Sequence, residues 1–206
     1  MSSIVTSVGG VDVSRETMEK LEQLSALIIK WTKAINLIAP NSVPNLWDRH
    51  IVDSAQVFHC APDSWTHWVD LGSGGGLPAL VVAILDQQNR LITLIESDKR
   101  KCLFLTTARR ELGLNISIIN RRIANAETVP ANIISARALA PLNDLLGYAD
   151  QFLGADGIAI FPKGERYQEE LDHAAQAWHF DVKAHTSQTN PDSRVLELSG
   201  IIRRES

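Results

Sequence analysis

Four glycines in the five positions from Gly72 to Gly76, and an acid twenty residues further on at Glu96, could together hold a small molecule. Glycine lacks a Cβ and reaches positive φ freely, so such a run lets backbone N–H groups press close to a ligand. Before it, Val69 to Leu71 read as the end of a buried strand. After it, Leu77-Pro78 opens an apolar run, Ala79 to Leu85, of helical length. Proline suits the first turn of a helix, where no intrahelical partner is lost. A helix N-terminus aimed at the loop favours a carboxylate or phosphate there. Gly72 and Gly74 match the first two glycines of the dinucleotide fingerprint, but its third falls on Leu77. The Walker A pattern fails for want of a lysine. Glu96 ends a second apolar run, Leu91 to Ile95, where a carboxylate can accept from the ribose hydroxyls of an adenosine. A glycine loop without phosphate-specific residues, followed by such an acid, fits S-adenosylmethionine, whose own anionic group is a single carboxylate.

The rest of the chain must position that loop. At 206 residues with 45% hydrophobic content, one domain with a full core and a modest appendage is expected. No apolar run approaches a membrane span, and the Met1-Ser-Ser start lacks a basic signal region, so a cytoplasmic location is expected. Cys60 and Cys102 have neither metal spacing nor a disulfide framework around them, which points to two reduced thiols and no metal. Net charge is −4, against indiscriminate nucleic-acid binding. Yet Lys99, Arg100, Lys101, Arg109, Arg110, Arg121 and Arg122 face a single acid, Glu111, over that stretch. A local basic face on an acidic protein is one reading; solvated helix and loop charges are the other.

In chain order, residues 1 to 13 read as frayed. Ser14 can cap a helix to about Ile38, with Met18, Leu21, Leu24, Ile28, Trp31, Ile35 and Ile38 on one stripe. Pro40 and Pro44 break it, and a second helix from Leu46 would put Arg49, His50 and Asp53 within one turn. Residues 1–65 thus form an all-helical extension packed over the C-terminal edge of a sheet, and residues 66–206 form the core. Strands are predicted near 67–71, 91–96, 116–119, 132–136 and 157–161, with helices near 78–87, 99–112, 140–153 and 165–178. This alternation implies an α/β doubly wound, mostly parallel sheet. Phe180 to Thr186 and Arg194 to Ile202 flank the polar turn Gln188-Thr-Asn-Pro-Asp and predict a terminal antiparallel hairpin. The Gly loop, Glu96, Arg121 to Ala124, Arg137 and Lys163 all follow strands and should converge on one crevice.

This layout resembles the class I S-adenosylmethionine-dependent methyltransferases, whose fold is Rossmann-like. A narrower resemblance rests on Trp31-Thr-Lys-Ala-Ile-Asn-Leu, Arg49-His-Ile-Val-Asp-Ser, Asp70-Leu-Gly-Ser-Gly-Gly-Gly-Leu-Pro, Glu96-Ser-Asp-Lys-Arg-Lys, Ser135-Ala-Arg-Ala and Lys163-Gly164. These look like the bacterial RsmG (GidB) family, which methylates N7 of one guanine in the 530 loop of 16S rRNA. The resemblance runs from about Trp31 to Lys163, and the Arg-His-x-x-Asp-Ser element is its most specific part. It implies that Gly72 and Leu77 line the cofactor pocket, that Gly74 shapes the turn and that Glu96 meets the ribose. Ile123 and Ala124 match positions whose backbone flanks the adenine, and Arg137 matches an arginine at the cofactor–substrate boundary. The chain departs from the family pattern at Ala124-Asn125 and Asn132, where acids are usual, and at Ala79, where glycine is usual.

Guanine N7 carries a lone pair and no proton, so its attack on a sulfonium methyl needs no general base. Positioning can lower such a barrier by up to about 7–11 kcal/mol. No catalytic residue in the acid–base sense is therefore expected. Arg137 or Lys163 could donate to guanine O6, beside N7, or Arg137 could hold only the methionine carboxylate. The partner implied is 16S rRNA in the small ribosomal subunit, met by a monomer through Arg49, His50, Lys99, Arg100, Arg122 and Lys163. Other readings are a methyltransferase acting on another substrate, or a cofactor- or RNA-binding module without turnover.

Overall fold

Short runs of β-branched and aliphatic residues, each followed by an amphipathic stretch, pair in the computed structural model of the chain, which describes residues 6–205. Strands β3 (His67–Leu71), β4 (Leu91–Ile95), β5 (Ile116–Ile119), β6 (Ala131–Ser135) and β7 (Leu153–Lys163) run parallel. Strands β8 (Trp178–Thr186) and β9 (Arg194–Arg203) close the sheet, with β9 antiparallel between β7 and β8. The order is β5-β4-β3-β6-β7-β9-β8. The order in which strands are added therefore reverses between β3 and β6, and the crevice of a doubly wound sheet opens beyond the strand ends at that switch.

Helices cover both faces, as parallel strands buried on two sides require. On one face α1 (Arg15–Thr32), α3 (Ala79–Leu85) and α4 (Lys99–Leu112) pack through Leu21, Leu24, Leu80 and Phe104, all fully buried. On the other, α5 (Leu142–Phe152) and α6 (Tyr167–Ala174) contribute Leu142, Leu146, Ala149 and Leu171. Asn132, where the family pattern has an acid, accepts through Oδ1 from Thr66 N (2.9 Å), Thr66 Oγ1 (2.8 Å) and His67 N (3.0 Å). A neutral carbonyl oxygen thus ties β6 to β3.

The opening of the chain departs from the helical expectation. Residues 6–13 form a hairpin, β1 (Thr6–Val8) and β2 (Val11–Val13), turned by Gly9-Gly10; residues 1–5 lie outside the described chain. Alternation in these three-residue strands is too brief to read as a pattern, but Val8 and Val13 are buried, and a Cβ at Gly9 would lie 2.7 Å from that of Ala55. Ser14 does cap α1, accepting from Thr17 N at 3.1 Å, yet the helix ends at Thr32 rather than Ile38. Ala34 N and Ile35 N both bond to Trp31 O, and Leu37 and Ile38 are buried in irregular chain instead of a continued stripe. Tertiary contact overrides periodicity here. The second helix begins as a 3₁₀ turn (Pro40–Asn45), continues as a π-helix (Trp47–Val52) and becomes α-helical only in α2 (Asp53–His59). A π-turn is rare and frequently marks a functional position.

Candidate active site

Two cavities of about 500 and 620 Å³ open at the switch between β3 and β6, and they share Gly72, Lys101 and Ala138 in their walls. They are the two lobes of one crevice. Glu96, at the end of β4 and buried, shapes both: its Oε2 accepts from Gly74 N at 2.8 Å and its Oε1 from Asp98 N at 2.7 Å. The carboxylate therefore holds the glycine loop as well as offering lone pairs to the lobe it lines. Gly74 has φ of 54°, a conformation that L side chains rarely adopt. At Gly72 a Cβ would fall 2.6 Å from Leu139 Cδ1, so the chain's own packing, and not only a ligand, excludes a side chain there. Glu96→Ala should weaken S-adenosylmethionine binding by about tenfold or more, the worth of a hydrogen bond to a charged group. Unchanged affinity by calorimetry would remove Glu96 from the site.

The larger lobe is walled by Ile95, Ile123, Leu139 and Tyr148, with Ala124 beside them and Arg121 and Arg122 also lining it. An apolar slot with a carboxylate at one end suits an adenosine. The other lobe holds Gly74, Leu77, Arg49, His50 and Arg137. Beneath the loop, Asp70 is fully buried; its Oδ1 accepts from Ser135 Oγ at 2.6 Å, while its Oδ2 has no hydrogen-bond partner among the described residues. Asp70 lines neither lobe, so it supports the glycine loop from below, while the Glu96 carboxylate and the glycine loop in the lobe walls fit S-adenosylmethionine.

Burial raises the Asp70 pKa to about 6, against the opposing pull of the Ser135 hydrogen bond and of Arg137. A carboxyl whose folded pKa is raised contributes stability below its unfolded pKa, and that contribution is lost as pH rises through the folded value. The stability difference between wild type and Asp70→Asn should therefore shift toward the variant between about pH 4 and pH 7, by up to about 3 kcal/mol. Urea unfolding across that range measures it; a pH-independent difference would mean that Asp70 titrates normally.

Arg137 follows β6 and precedes Ala138, which has positive φ of 51°. A non-glycine residue in that region is strained and is held only where its surroundings over-determine it. Arg137 Nη1 donates to His50 Nδ1 at 2.7 Å and to Arg49 O at 3.2 Å. Burial lowers the Arg137 pKa from the usual guanidinium value, while Asp53 and Asp70 oppose that. Burial, then Arg137 and Arg49, lower the His50 pKa to about 4. A third cavity of about 160 Å³ lies across Asp53 and Arg137 from the crevice.

The crevice thus brings together Gly72, Gly74, Leu77, Glu96, Ile123, Ala124, Arg137, Arg49, His50 and Arg122. Lys99 and Arg100 lie outside its walls, exposed at the start of α4, where Arg100 pairs with Asp98 at 3.0 Å. Lys163 borders the third cavity and neither lobe, and its Nζ is engaged by Glu170 Oε2 (2.7 Å) and Ala140 O (3.1 Å), so a donor role toward a base would require breaking that pair. Sequence reasoning passes over Lys101, Tyr148 and Ser42 as site residues. Lys101 is visible in the cationic run; nothing local marks Tyr148 or Ser42.

A family model described as rRNA small subunit methyltransferase G (GidB) matches residues 17–195. The ribosomal RNA small subunit methyltransferase G of Ruegeria sp. (strain TM1040) is 45% identical over 196 residues, covering 94% of this chain and 95% of that one. Among solved structures, a ribosomal protein L11 methylase from Lactobacillus delbrueckii subsp. bulgaricus superposes with a TM-score of 0.58 at 17% identity, over 76% of this chain and 79% of its own. An O-methyltransferase from Bacillus cereus in complex with SAH gives 0.58 at 10% identity, over 88% and 90%. The structures share the fold alone, but the sequence match extends across both the glycine loop and the Arg49–Ser54 segment that reaches Arg137, and on that match the chain belongs to the rRNA small subunit methyltransferase G (GidB) family.

Proposed function

We propose that the chain transfers a methyl group from S-adenosylmethionine to N7 of a guanine in the 530 loop of 16S rRNA, acting in the cytoplasm as a monomer on the small ribosomal subunit. The observation that carries this reading is the two-lobed crevice, with its glycine loop tied to Glu96 and its lobes meeting beside Arg137. Bound there, S-adenosylmethionine supplies an electrophilic methyl group on a sulfonium. Glu96 and the Ile95–Ile123 slot would hold the adenosine, and the glycine loop would take the amino-acid end. The chain then has to present a base edge and exclude water.

Arg137 is suited to the presentation. A guanidinium carries five N–H donors. Two of them are engaged, with His50 and the Arg49 carbonyl. The remaining three have no acceptor among the described residues and are available to guanine O6, the acceptor beside N7. His50 does not act as a base in this arrangement, because its acceptor nitrogen is occupied by Arg137, and attack by N7 releases no proton that would call for one. The division into a 1–65 extension and a 66–206 core belongs to the same proposal: the extension supplies Arg49 and His50, and the core supplies the cofactor lobes.

Incubation with methyl-labelled S-adenosylmethionine and ribosomal fractions, followed by mapping of the modified base, tests the proposal. Label at N7 of a 530-loop guanine is the expected result. Label on another base or on protein would redirect it, and cofactor binding without any transfer would make the chain a binding module. Among the described residues no helix is long and apolar enough to cross a membrane.

A further inference from the structure

Arg137 has to be aimed, and the groups that aim it come from the N-terminal extension. Arginine only donates hydrogen bonds. Its 2.7 Å contact with His50 Nδ1 therefore makes that nitrogen the acceptor, which places the ring's proton on Nε2. Nε2 lies 2.9 Å from Ser42 Oγ, and that hydroxyl in turn donates to Ala39 O at 2.7 Å. Every donor in this relay meets an acceptor, in one direction only: Arg137 to His50, His50 to Ser42, Ser42 to Ala39. Ser42 is buried, so the relay is anchored at its far end. The π-turn over Trp47–Val52 carries both partners of Arg137, the His50 ring and the Arg49 carbonyl.

We propose that His50 is a positioning residue for methyl transfer, its neutral ring accepting from Arg137 and fixing the guanidinium on the wall between the cofactor crevice and the adjoining cavity. The inference rests on the methyltransferase reading above and adds the element that orients Arg137. Groups facing the ring are Arg137 from the segment after β6, Ser42 from the 3₁₀ turn, and Arg49 and Asp53 from its own helical segment. The two guanidiniums and burial oppose protonation, and Asp53, whose own carboxyl burial pushes upward, is bonded by Thr189 and Gln56. An imidazolium would put a proton on Nδ1, where Arg137 already points one. The hydrogen bond would become a repulsive contact, and the guanidinium would have to leave.

His50→Ala should lower kcat on small ribosomal subunits by about tenfold to a hundredfold, the range for a lost hydrogen bond to a charged group. S-adenosylmethionine affinity by calorimetry should stay within about threefold of wild type, since no cofactor contact is removed. His50→Asn, whose Oδ1 can stand near the Nδ1 position, should recover part of the rate. Adding His50→Ala to Arg137→Ala should cost nothing further, because residues that act through one another are not additive. Nitrogen-15 spectra of the imidazole at pH 7 should show a neutral ring protonated on Nε2. Should His50→Ala fail to fold, Ser42→Ala loosens the same ring and carries the kinetic test. Additive losses in the double variant, or an imidazolium at pH 7, would overturn the assignment while wild-type activity still stood. A wild-type protein that binds cofactor and methylates no RNA would instead remove the methyltransferase reading itself.

Discussion

Gly74→Val is expected to bind S-adenosylmethionine about tenfold to a hundredfold more weakly than wild type, the cost of forcing a side chain into filled space. The protein itself has room for a Cβ there. A Cβ at Gly74 meets nothing closer than the Gly72 carbonyl oxygen at 3.7 Å, so the space it would occupy belongs to the crevice. The positive φ adds strain of about 1–3 kcal/mol whatever occupies the crevice, and this has to be separated from the loss of binding. Gly113 provides the control. It caps α4 with φ of 65°, and a Cβ there meets nothing within 4 Å. Gly113→Val should therefore lose comparable stability on thermal melting and keep its cofactor affinity. If calorimetry finds the two variants alike in affinity, the loop does not receive the cofactor.

How the glycines are used shows what the sequence could and could not disclose. A glycine-rich turn between an apolar strand and an apolar helix is a local signal, and it locates the loop, the strand before it and the helix after it. What fills the space around each glycine is not local. Leu139 covers Gly72 from the segment after β6, and Leu37 O would sit 3.0 Å from a Cβ at Gly75. Glu96 shows the same division. Its type and its place at the end of β4 suggest a ribose ligand, but its bond to Gly74 N joins residues 22 apart and depends on the parallel register of β3 with β4.

The N-terminal extension is the least legible part, for a physical reason. Ile35 and Ile38 continue the stripe of α1 in sequence, and a stripe says that residues are buried, not in which backbone. Leu37 and Ile38 are indeed buried, but as irregular chain lining the glycine-loop lobe. The π-turn carries no signature beyond Arg49-His-Ile-Val-Asp-Ser, and those residues stand out through the family resemblance and not through any helical pattern. The terminal hairpin is easier to read, since two alternating runs around a polar turn need no distant partner to be recognised. Its attachment to α2, through Thr189 to Asp53 and Gln188 N to Gln56 Oε1, is again a long-range event.

The RNA surface follows from where the crevice opens. An acidic chain needs a confined cationic patch to release counterions from a few phosphates. Two groups qualify. Arg121 and Arg122 line the larger lobe, with Lys101 shared between the lobes. Arg49 lines the lobe that contains Arg137, and exposed Lys33 lies beyond the end of α1 on the same extension. A base that reaches Arg137 brings its phosphate into the second group first, because Arg49 and Arg137 share a wall. The double variant Lys33→Glu/Arg49→Glu is therefore expected to weaken RNA binding and to lower the slope of log affinity against log salt by about 0.7–0.9 for each phosphate no longer neutralised. Cofactor affinity should be largely kept. Arg121→Glu/Arg122→Glu should act more weakly on RNA, and Arg110→Glu, on the exposed last turn of α4, should change little. Arg100→Glu tests the start of that helix, where the guanidinium is already paired with Asp98. Filter binding to 16S rRNA at several salt concentrations separates the two groups. A slope lowered only by the Arg121/Arg122 pair would place the RNA on the Glu96 side of the crevice and remove Arg49 from the interface.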